Sequence, residues 1–144
     1  MSPAFSVLLI TERPEQLTGG GCCGRLEGDL TILGCREELF ELARERQKSL
    51  ARVEQYLTKL VEETGLEIDV VWIDPRNQLY LATRLLKDVL RYRPGLAAGL
   101  RALTQWFRLP AIIINGTVVA QGAAADDERL QAVRAFFEHR ASAA

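Results

Sequence analysis

Cys22 and Cys23 are adjacent thiols, and Cys35 is the third and last cysteine of this 144-residue chain. Gly19, Gly20 and Gly21 precede the pair and Gly24 follows it, a backbone free to curl until both thiols reach one centre. A disulfide between immediate neighbours is strained, because Cα atoms one peptide apart lie closer than the usual bridged separation. Cys35 joined to Cys22 or Cys23 is therefore the expected bridge. Cys35 follows Gly34 and precedes Arg36-Glu37-Glu38, at the start of a helical pattern. Free N–H groups and the positive end of the helix dipole stabilise a thiolate at such a position. Arg36, and Arg25 near the pair, add to that effect, while Glu37 and Glu38 oppose it. Two chemistries follow. In the first, a low-pKa cysteine attacks a disulfide or peroxide and a second cysteine resolves the product. In the second, Cys22, Cys23 and Cys35 hold a soft metal or metalloid, with Asp29 or Glu27 available as an oxygen ligand. A closed zinc site normally wants four ligands, and three thiolates without histidine do not supply them. The competing structural reading is a buried Cys35 and a glycine-rich loop that merely contains thiols.

Other residue types offer less. His139, the only histidine, falls near the end of the last helical segment, where solvent or the helix C-terminus is its expected partner. Trp72 reads as a core residue and Trp106 as packing near a proline-led strand. Gly-rich phosphate loops, Ser–His–Asp sets and paired-carboxylate motifs are absent from the sequence. With 18 basic and 19 acidic residues the net charge is -1, so bulk electrostatics draw the chain to neither nucleic acid nor an anionic membrane. Three cysteines are too few for a disulfide scaffold. The N-terminus lacks the basic start and long apolar core of a secretory signal, and the expected location is cytoplasmic.

The elements that must position the thiols are legible from periodicity. Composition is 48% hydrophobic and 26% charged, and the length suits one domain spanning residues 1–144. Phe5–Thr11 reads as a central strand buried on both faces, because it shows little alternation. Glu15–Gly34 reads as a loop, within which Asp29–Leu33 forms a short strand or pins the loop. Arg36–Glu63 carries Phe40, Ala43, Leu50, Val53, Leu57, Leu60 and Val61 at helical spacing. Leu66–Ile73 is a second strand. Gln78–Tyr92 is a helix whose apolar residues are Leu81, Leu85, Leu86 and Val89, and Leu96–Phe107 is another helical segment. Ala111–Ile114 and Thr117–Ala120 flank Asn115-Gly116, the strongest hairpin signal in the chain. A final helix, capped by Asp126 or Asp127, runs to about His139.

Leu109-Pro110 through Gly122 resembles the terminal β-hairpin of the thioredoxin-like superfamily. The resemblance implies an α/β, thioredoxin-like fold: a central four-stranded mixed sheet flanked by helices, here with a cysteine-containing loop inserted after the first strand. It implies that Pro110 is a cis-proline opening the third strand, that Gly116 sits in the turn, and that Gly122 closes the fourth strand. It further implies that Pro110 faces the active cysteine and exposes neighbouring backbone to an extended substrate. The chain departs from the family in having no Cys-x-x-Cys. Its adjacent cysteines followed by a third resemble, more loosely, an arsenic metallochaperone of the same fold. Cys22-x12-Cys35 resembles part of the thioredoxin-like ferredoxin pattern, whose second cysteine pair is missing here, so no cluster or other cofactor is expected of one monomer.

The leading expectation is thus thiol–disulfide chemistry by Cys35 with Cys22 or Cys23, beside Pro110, acting on a protein thiol or disulfide partner. The second is a carrier holding a soft metal or metalloid on Cys22, Cys23 and Cys35. The third is a non-enzymatic interaction module. A helix over Arg36–Glu63 would be roughly 40 Å long, and its excess length, with the edge strand Thr117–Ala120, offers surfaces for a homodimer.

Overall fold

The computed structural model describes residues 4–12, 30–105, 108–122 and 124–142, with backbone alone over 30–40 and 140–142. Strand β1 (Phe5–Ile10) lies between β2 (Ile68–Ile73), which runs parallel to it, and β3 (Ala111–Ile114), which runs antiparallel. Strand β4 (Thr117–Gln121) pairs antiparallel with β3 and completes the order β2-β1-β3-β4. The parallel β1–β2 pair needs a crossover, and helix α1 (Leu30–Thr64) supplies it. Helices α2 (Gln78–Tyr92) and α3 (Leu96–Gln105) connect β2 to β3, and α4 (Asp126–Ser142) follows β4.

The pleat sorts the sheet's apolar residues into two cores. Val7, Leu9, Ile112 and Ile114 face one side and meet Leu50, Val53 and Leu57 of α1 and Val133 and Phe137 of α4. Leu8, Ile10, Ala111 and Ile113 face the other and meet Leu81 and Leu85 of α2 and Ala102 of α3. The result is a three-layer α/β domain. Both faces of β1 are covered, which is why its sequence shows no alternation.

Asn115 and Gly116 make the β3–β4 turn with φ of 51° and 74°, the two positive values a type I′ hairpin requires. Gly116 is also pressed on α2. A Cβ there would come within 3.1 Å of the Val89 backbone.

Three expectations need correction. Helix α1 begins at Leu30, not Arg36, so the segment read as loop or short strand after Asp29 is helical. Leu86 is half exposed, because the face of α2 on the sheet runs through Leu81, Leu85 and Asp88. Helix α4 starts at Asp126 itself, and the side chain closing its first turn is Glu128, whose carboxylate accepts the Ala125 N–H at 3.2 Å.

Candidate functional site

The parallel strands β1 and β2, the start of β3 and the last residue of β4 converge at one end of the sheet, where Ile10 aligns with Ile73 and Ala111, and Ala111 with Gln121. In open α/β sheets this crevice, at the carboxyl ends of parallel strands, is where ligands are bound. Two clefts open there, one on each flank of α1. The first, of about 420 Å³, is lined by Thr11, Glu12, Gln47, Glu54 and Trp72. The second, of about 330 Å³, has Leu42 and Arg46 of α1 on one side, Leu109 and Pro110 on another, and Gly122, Asp126 and Arg129 closing it.

The Leu109–Pro110 peptide bond is cis, as the family resemblance implies. Pro110 is buried and directly precedes β3, where its missing N–H interrupts no ladder bond. The turn is tied down from behind. Gly122 N–H donates to the carbonyls of both Arg108 and Pro110 at 3.0 Å. Arg129, only 6% exposed, donates from Nη2 to the Gly122 carbonyl at 2.8 Å. Its Nη1 reaches Ser49 Oγ on α1 at 2.7 Å and Asp126 Oδ1 at 3.0 Å. One buried guanidinium thus joins α1, the exit of β4 and the first turn of α4, and fixes the walls of the cleft relative to one another.

The rim carries both signs of charge. Arg46 lies 3.8 Å from Glu12 and Arg52 lies 3.7 Å from Asp126. The aliphatic part of the lining comes from Leu42, Leu109 and Pro110. At this end of the sheet Thr11 Oγ1, Gln121 Oε1 and Arg129 Nε are buried without a hydrogen-bond partner among the described residues. This mixture suits a neutral, extended polypeptide or a small polar molecule better than a highly charged ligand.

Cys22 and Cys23 lie outside the described residues, as do Arg25, Glu27, Asp29 and Trp106. Cys35 is placed by backbone alone, as the sixth residue of α1 and seven residues before Leu42, about 10 Å or two turns along the axis. The helix start at Leu30 corrects the electrostatic argument. The four N–H groups that a helix leaves without an intrahelical partner are those of Leu30–Leu33, and the dipole's influence fades beyond the first turn, so Cys35 is not at an N-cap. Among the described residues no group of three His, Cys, Asp or Glu side chains gathers into a metal site. No described helix is long and apolar enough to cross a membrane. His139 is exposed on α4, and Trp72 is partly buried against the core it was expected to join.

Sequence reading passed over Arg129 and Ser49, and a signal for Arg129 existed. It stands four residues before Val133 and eight before Phe137, on the stripe of α4 that faces the core. A charged residue in register with a buried stripe calls for partners. Comparison with protein-family models, with curated proteins and with solved structures returns no match to this chain.

Proposed function

We propose that this protein is a thioredoxin-like thiol–disulfide redox protein that works at the cis-proline cleft, with Cys35 and either Cys22 or Cys23 as its thiol pair. The observation that carries the reading is the cleft's composition: α1, the helix that bears Cys35, forms one wall, and Leu109-Pro110 forms another. The fold reading is supported by the element order, by the mixed four-stranded sheet, and by Pro110, Gly116 and Gly122 standing where the family pattern wants them. In the reaction, the thiolate of one cysteine attacks a sulfur of the substrate disulfide and expels the other as a thiolate. The second cysteine then attacks the mixed disulfide and releases the first substrate sulfur. Two protein thiols are oxidised to one disulfide, and the substrate takes up their two electrons and two protons. Since Cys35 is beyond the first turn of α1, activation of its thiolate falls to neighbouring cations such as Arg36, its successor in the chain.

The test is oxidation of the full chain by oxidised glutathione, followed by alkylation and peptide mass spectrometry. One internal disulfide joining Cys35 to Cys22 or Cys23 is expected, and Cys35→Ser removes it. If all three thiols stay free and titrate near the ordinary cysteine pKa of about 8.5, the redox reading fails. Stoichiometric uptake of arsenite or Cu(I), lost in Cys35→Ser and unaccompanied by disulfide exchange, would replace it with a carrier.

A further inference from the structure

On the side of the molecule away from α1, helices α2 and α3 leave a row of leucines in solvent. Leu79 is 86% exposed and Leu96 is 96% exposed, with Leu86, Leu90 and Leu100 also uncovered. Leu79, Leu86 and Leu90 are spaced by seven and four residues and form one stripe along α2, about 16 Å from end to end. Leu96 and Leu100 repeat the four-residue spacing on α3. Between the helices runs an apolar groove of about 550 Å³, lined by Val89, Leu90, Gly99, Leu100 and Leu103. Contiguous apolar surface of this kind is a mark of an interaction site.

Charge indicates what covers it. Five of the six charged residues within Gln78–Gln105 are basic: Arg84, Lys87, Arg91, Arg93 and Arg101. The single acid, Asp88, is buried, where it accepts a hydrogen bond from Ser6 and faces Arg84. The rest of the chain holds 13 of the 18 basic residues and 18 of the 19 acidic ones. Lys87, Arg93 and Arg101 are exposed around the leucines, so this face is a positive patch on a molecule of net charge -1. A second copy docked by the same face would set these cations against each other. A flat bilayer would leave a concave groove unfilled, whereas a helix fills it.

We propose that the α2–α3 groove binds an acidic amphipathic helix of a partner protein. Its apolar stripe packs between Leu90 and Leu100, and its flanking Asp and Glu side chains meet Lys87, Arg93 and Arg101. The probe is a labelled synthetic helix of about 18 residues, with leucine at every third or fourth position and glutamate elsewhere. Fluorescence anisotropy should show saturable binding to the full chain that weakens as salt is added. The variant Leu90→Ser/Leu100→Ser should bind about tenfold or more weakly. Both positions are exposed, so its thermal melt should match wild type and separate lost binding from lost folding. A peptide carrying lysine in place of glutamate should also bind at least about tenfold more weakly. Equal binding of the two peptides, wild-type affinity in the serine variant, or no saturable binding would overturn the proposal. So would either of two alternative occupants. One is co-sedimentation with phosphatidylglycerol vesicles, without peptide binding, that the serine variant loses. The other is a concentration-dependent dimer in sedimentation experiments that the same variant abolishes.

Discussion

Asp88 is 3% exposed in a mainly aliphatic layer, and the cost of desolvating its carboxylate is met by two partners, Ser6 and Arg84. Ser6 Oγ donates to its Oδ2 at 2.6 Å, and Arg84 Nε approaches Oδ1 at 3.6 Å while Nη2 donates to Ser6 Oγ at 3.1 Å. Arg84 is also hydrogen-bonded to Asp69 on β2. Burial works against the Arg84 charge, but the Asp69 hydrogen bond and the charges of Asp88 and Asp69 outweigh it and hold its pKa above the ordinary value. The cluster pins α2 to the two parallel strands. Asp88→Ala leaves Ser6 and a mostly buried arginine without their partner, and should lower the unfolding free energy by about 3 kcal/mol in urea titration. A loss below about 1 kcal/mol would mean that Asp69 alone satisfies Arg84.

At the scale of the element, the β3–β4 hairpin separates two kinds of glycine constraint. Gly116 and Gly122 both have φ near +70°, a region an alanine enters at a cost of roughly 1–2 kcal/mol. Only Gly116 has a neighbour in the way, the Val89 backbone, whereas open space surrounds Gly122. Gly122→Ala should therefore cost about 1 kcal/mol, and Gly116→Ala should cost at least about 1 kcal/mol more, because α2 must move. Thermal melts of the two variants decide this, and equal losses would mean that the turn and α2 shift apart freely. Asn115 adds its own tie to the hairpin. Its side-chain carbonyl accepts the Ser6 N–H at 2.8 Å, and its N–H donates to the Ser6 carbonyl at 2.9 Å.

For the molecule as a whole, stability should fall on the alkaline side. Burial raises the pKa of Tyr56 above the usual 10.0, with Arg134 opposing, and burial raises that of Tyr92 in the same way, with Arg91 opposing. The folded state then keeps protons that the unfolded chain releases. This contribution is complete below pH 10 and is lost as pH rises through the higher folded values. The double variant Tyr56→Phe/Tyr92→Phe should show a shallower decline of melting temperature above pH 10 than wild type does. Identical slopes would assign the alkaline loss to other groups. The two rings are on opposite sides of the sheet, on α1 and α2, so each single variant should account for part of the effect.

Local pattern was enough to determine most of the fold. The unalternating β1, the helix Gln78–Tyr92 and the Asn115-Gly116 hairpin follow from burial on both faces, from a period of 3.6, and from turn residues that tolerate positive φ. The cysteines, too, are visible as residue types without any structure. Tertiary structure alone decided the rest. Helix α1 takes up Leu30–Gly34, the end of a stretch that reads by itself as loop or short strand. Arg129 and Asp88 are buried because partners distant in sequence, Ser49 and Gly122 for one and Ser6 for the other, replace their water. The cleft beside Pro110 exists only where α1, the hairpin and α4 meet. No local pattern encodes a space between elements, because its walls are residues from Leu42 to Arg129 that come together only on folding.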